Sequence, residues 1–163
     1  MAFRITFRIA WTVALVLAAG AADARDTVGV YRGWAAFRDP ERCYAIAQPQ
    51  GRVRVGQPFV AVGTWPSRSL RSSLHVRLSR PVKPDQPVTL SVGERRFRLV
   101  ATGSDAFAAD AASDRAIAAA LRSGRSMSVE AVGIGGHPFA DSYALAGAAT
   151  AIDAAALACA ALR

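Results

Sequence analysis

From residue 28 onward, apolar and polar positions alternate mostly with a period of two, and a helical period replaces it in only two stretches. Val28 to Phe37 (VGVYRGWAAF) and Arg42 to Gln48 (RCYAIAQ) read as strands around the turn-like Asp39-Pro40-Glu41. Phe59 to Trp65 is a further apolar run, closed at both ends by Pro58 and Pro66. Leu74, Val76 and Leu78 alternate with His75 and Arg77, so a strand there turns the aliphatic residues one way and the basic ones the other. The proline-rich segment 81–87 (PVKPDQP) reads as a loop. Val88, Leu90 and Val92 then alternate, Gly93-Glu94 turns the chain, and Phe97 and Leu99 alternate back with Arg96 and Arg98 on the opposite face. Met127, Val129 and Ala131 mark another strand, 133–136 (GIGG) a loop, and Pro138 to Leu145 a last strand.

The two helical stretches lie late in the chain. Asp110 is placed to cap a helix whose apolar positions include Ile117 and Leu121, four apart, and Gly124 stands at its end as a stop. The alanine-rich C-terminal stretch runs to about Leu162, with Leu145, Ile152 and Cys159 recurring every seven residues along one face. Asp153 in its middle argues against a membrane span. The expected fold is α+β and mainly β: an antiparallel sheet curled into a sandwich or partial barrel, with two helices and the last one packed on the sheet. No repeat, charge block or long linker divides the chain, which predicts one domain over residues 25–163.

Residues 1–24 read as a secretory signal peptide. Arg4 and Arg8 supply the positive start, Ile9 to Gly20 the apolar run, and Ala22-Asp23-Ala24 an A-x-A cleavage site. The whole chain carries a net charge of +8, and removing these two arginines and Asp23 leaves +7 on the remaining 139 residues. Lys83 is the only lysine. Such a basic exported domain suits an anionic envelope component better than nucleic acid. It is expected to be periplasmic or secreted, with no transmembrane segment after cleavage.

Candidate chemistry is sparse. Cys43 and Cys159 are the only cysteines; with His75 and His137 they make no metal-binding spacing, so neither a metal nor a cofactor is expected. His137, Asp141 and Ser142 bring hydrolase residue types together, but in a strand Ser142 faces away from the other two. His75, Arg77, Arg96 and Arg98 form a possible anion-binding face if their strands are neighbours. Tyr31, Trp34, Tyr44, Phe59 and Trp65 read as core residues. Cys43 lies on a small-residue strand face with Ala45 and Ala47, and Cys159 lies among alanines, which lets a helix approach a strand closely enough for a bridge. Export makes a Cys43–Cys159 disulfide the expectation, with two buried free thiols as the alternative.

Several short stretches resemble the invasion-associated locus B family, small exported proteins of alphaproteobacteria. They are Gly33-Trp34, Cys43-Tyr44, Gln48-Pro49, Pro58-Phe59 leading to Trp65, GRSMSV (124–129), GHPF (136–139) and SYALAG (142–147). Many members carry a further cysteine soon after the early tryptophan, where this chain has Ala36, Phe37 and Arg38, so their pairing does not transfer. The resemblance implies a periplasmic or surface-associated β-rich domain of a Gram-negative cell, and no catalytic residues come with it. The expected role is a non-enzymatic binding or structural module, for an anionic envelope or host component or for a protein partner. The alternatives are a small periplasmic hydrolase using His137 with Asp141 or Ser142, and an inhibitor or chaperone-like protein.

Overall fold

A computed structural model describes residues 25–51 and 56–160. The signal-peptide reading falls on residues 1–24, outside these described residues. Ten strands make one antiparallel sheet: β1 (Asp26–Tyr31), β2 (Trp34–Arg38), β3 (Cys43–Ala47), β4 (Phe59–Trp65), β5 (Leu70–Arg77), β6 (Val88–Val92), β7 (Arg95–Thr102), β8 (Asp105–Ala108), β9 (Ser126–Val132) and β10 (Pro138–Ala144). Their order is β1-β2-β3-β4-β5-β8-β7-β6-β9-β10. Among the described residues two α-helices, α1 (Ala111–Ser123) and α2 (Ala148–Ala160), and a short 3-10 helix at Pro66–Arg68 complete the fold.

Sequence alternation decides which face of the sheet is covered. Trp34 and Ala36, Cys43, Ala45 and Ala47, Val60 and Val62, Leu74 and Val76 all turn inward, as do Val88, Leu90, Met127 and Val129. The sheet curls around this core without closing. The Trp34 indole N–H donates to the Ala144 carbonyl at 2.9 Å. The Gln50 N–H donates to the Ser142 carbonyl at 2.7 Å, so the start of the strand order returns toward its end. Helix α2 packs on β1 to β4, α1 on β5, β7 and β8, and the helices touch each other.

Small residues set how closely α2 approaches the sheet. Its buried face is Ala148, Ala151, Ile152, Ala155 and Cys159, against the small inward face of β3. The two elements come within 5.5 Å between the Cα atoms of Cys43 and Cys159, which are joined by a disulfide. The expected staple between an early strand and the last helix is thus present. Leu145, expected on the same helix face, is buried but precedes the helix, where its N–H donates to the Arg125 carbonyl. Among the described residues, no helix is long and apolar enough to cross a membrane.

Three local readings change. Val28 to Phe37 is a hairpin and not one strand, because Arg32 takes φ 56°, a left-handed conformation arginine rarely adopts. The four-residue strand β8 had no sequence signal of its own. Gly124 does end α1, but at φ −80°, so left-handed freedom is not its contribution. A Cβ there would run into Val92 and Leu145, so the glycine provides room for α1 to meet the core. At the other end of α1, Asp110 caps as expected and accepts from the Ser113 N–H.

Candidate functional site: an aromatic groove on the outer sheet face

The outward positions of β2 to β5 and β8 are not the polar surface expected opposite a buried face. Strand register puts Tyr44 beside Phe37 and Gly63, and Ala61 beside Ile46 and His75. It also sets His75 beside Phe107 on β8. Tyr44, Phe59 and Trp65, read from the sequence as core, therefore lie on the outer face, while Trp34 is in the core as expected. Tyr44 is only 7% exposed, yet its cover comes from neighbours on this outer face and not from the interior.

Together these residues form a groove of about 430 Å³. Gly63 and Ala61 keep its floor low. The Trp65 ring folds back over Gly63 so closely that a Cβ there would sit 2.7 Å from it. At one end Phe59 meets His75 edge-on, with ring centroids 4.9 Å apart, and Phe107 stacks on the imidazole at 4.8 Å.

Two arginines form the opposite end. The Arg42 guanidinium lies 4.8 Å from the Tyr44 ring centroid and 5.9 Å from that of Trp65. Arg25 lies over Phe37 and Tyr44 at 5.6 and 5.7 Å. Each uses Nε to donate to Asp39, Arg42 at 2.9 Å and Arg25 at 3.4 Å. One carboxylate at the β2–β3 turn thus orients both guanidiniums. Burial, and then the Asp39 charge, push the Tyr44 hydroxyl up from its ordinary range, so it stays protonated at neutral pH. Beyond Arg25, Arg42 and Trp65 the groove continues into a second cleft of about 620 Å³, flanked by Pro40 and Glu41.

His75, Arg77, Arg96 and Arg98 do share the outer face, but β8 separates the first pair from the second. Asp105 of β8 faces both members of the first pair, with His75 Nε2 at 2.7 Å and the Arg77 Nη2 donating at 3.2 Å. Half the expected basic face is therefore already matched to an acid. Arg96 and Arg98 are exposed on β7, opposite Ser91 and Thr89.

The hydrolase residues are not brought together. Asp141 points inward, 6% exposed, and its Oδ2 accepts from the Ser79 N–H at 2.8 Å. Ser142 is exposed on the other face of β10, and His137 is exposed in the turn before it. His75, Asp105 and Ser73 offer similar residue types, but Ser73 is two residues from His75 on one strand and Nε2 is directed at Asp105. A triad needs that nitrogen toward the nucleophile. Among the described residues, no group of three or more His, Cys, Asp or Glu gathers as a metal site.

The sequence does not mark Arg25, Phe37, Arg42 or Phe107 as groove residues, and it places Asp39, which lines the adjoining cleft, only in a turn. Parity in β4 was the available signal: Phe59 and Trp65 alternate with Val60 and Val62, so only one of the two sets can be interior. No family model, curated protein or solved structure matches the chain.

Proposed function

We propose that this chain is an exported, non-catalytic binding module of the bacterial envelope, and that the outer-face groove is where it binds. The carrying observation is the groove itself, with aromatic rings on a solvent-facing sheet surface and two guanidiniums fixed at one end by Asp39. Its concavity, with a few oriented polar groups, is the usual form of a binding site. The leader-like residues 1–24, the disulfide and the resemblance to invasion-associated locus B proteins support export.

The reading is tested by cell fractionation of chromosomally expressed variants. The double variant Trp65→Ala/Arg42→Gln should be exported and oxidised normally but lost from its envelope-bound fraction. Arg96→Glu/Arg98→Glu, on the same face but outside the groove, should be retained. The reverse order would move binding to the β7 arginines, and full retention of both would remove the proposal.

A further inference from the structure

Resting on the reading of the groove as a binding site, we infer that its ligand is an amphiphilic anion, with a flat apolar body and one carboxylate or phosphate head. The two ends of the groove differ in what they can accept. At the far end, His75 lies between Phe59 and Phe107, and Asp105 is already engaged by His75 and by Arg77. That end offers ring faces and edges and has its charge balanced internally. The floor between, built on Ile46, Ala61 and Gly63, is bordered by only two hydroxyls, those of Tyr44 and Ser73 beside Gly63, too few to satisfy the several hydroxyl groups of a neutral sugar.

The near end is built for an anion. Arg42 and Arg25 have Nε directed to Asp39 and their guanidinium carbons 4.8 and 5.6 Å from the ring centroids of Tyr44 and Phe37, which leaves the terminal N–H groups as a fork. A guanidinium held in this way presents parallel donors that match the two oxygens of a carboxylate or phosphate. Arg25 and Arg42 line the groove, whereas Asp39, which they share, lines only the adjoining cleft, so the charge facing the groove at this rim is positive. Glu41 flanks the adjoining cleft and does not line the groove. An aromatic box without arginines would suit a quaternary ammonium; here the like charge repels one. The head group of the ligand therefore sits at Arg25 and Arg42 and its body runs toward Phe107.

The processed protein, purified from an exporting host, is titrated calorimetrically with three compounds of matched shape: 2-naphthoate, 2-naphthamide and 2-naphthylmethylammonium. In parallel it is mixed with vesicles of phosphatidylglycerol or phosphatidylcholine. The inference predicts saturable binding of the anion, at least tenfold weaker binding of the amide and none of the ammonium. Arg42→Lys should weaken the anion roughly tenfold, because it keeps the charge but loses the fork. Binding of naphthoate alone identifies a free small anion as the natural form, and binding to phosphatidylglycerol vesicles that is lost in Trp65→Ala identifies a lipid head group. Equal affinity for naphthoate and naphthamide, or preference for the ammonium, overturns the ligand class. So does the absence of binding to every probe. In each of these cases the fractionation result still decides separately whether the groove binds anything.

Discussion

Reducing the Cys43–Cys159 bridge changes no side-chain composition, so its effect isolates the constraint on the unfolded chain. The bridge closes a loop with a sequence separation of 116. In the chain-entropy description, closing 116 residues removes about 16 cal/mol/K from the unfolded ensemble, or about 4.8 kcal/mol at 25 °C. For a domain of this size that corresponds to a drop in Tm of roughly 10 to 20 °C. Both cysteines are buried among small residues where α2 meets β3, so the reduced protein keeps its packing and loses mainly the staple. Urea unfolding with and without reductant, followed by far-UV circular dichroism, reads the difference directly. The m-value should rise on reduction, because the uncrosslinked unfolded chain exposes more surface. A stability change below about 1 kcal/mol, or an unchanged m-value, would refute the view that the bridge restrains a long loop. Loss of all structure on reduction would show that α2 docks only when tethered.

Three further substitutions probe separate parts of the fold. Gly147 has φ 94° and a Cβ there would collide with the Tyr31 carbonyl, so Gly147→Ala should cost more than about 2 kcal/mol in urea unfolding. The Tyr143 hydroxyl is buried without a hydrogen-bond partner among the described residues, so Tyr143→Phe should raise stability by up to about 1 kcal/mol, and a clear loss would contradict this. Hydrogen bonds from Ser113 hold the Asp110 carboxyl below its ordinary range. Its stabilising effect is therefore present above the unfolded value of about 3.9 and lost as pH falls through the lower folded value. Asp110→Ala should be less stable than the parent at pH 7 and indistinguishable from it at the acid end of that window. N-terminal sequencing of the exported protein should begin at Arg25.

The sheet was legible because it alternates. Leu74, Val76 and Leu78 against His75 and Arg77, and Val88, Leu90 and Val92 before Gly93, specify strands and facing without any help from tertiary structure. Pairing of Cys43 with Cys159 was legible for a related reason, since small residues mark where two elements approach. The turn at Arg32 was hidden because the positive φ falls on an arginine, and β8 because Ala106 and Phe107 sit among residues typical of a loop. The site was harder to see. Both faces of β4 are apolar, so periodicity separates Phe59 and Trp65 from Val60 and Val62 without saying which pair is interior. Strand order settles that, and an order that inserts β8 between β5 and β7 also splits the basic residues that parity alone had grouped.

Binding through the outer-face groove is tested most directly by photocrosslinking in living cells. A benzophenone side chain replaces Phe107, in the groove, or Ser128, which is outward on β9 and away from it. After irradiation the Phe107 position should give one dominant adduct that weakens when Arg42 is changed to Glu, and the Ser128 position should not give it. The same adduct from both positions, or a dominant adduct from Ser128 alone, would contradict the groove as the binding site.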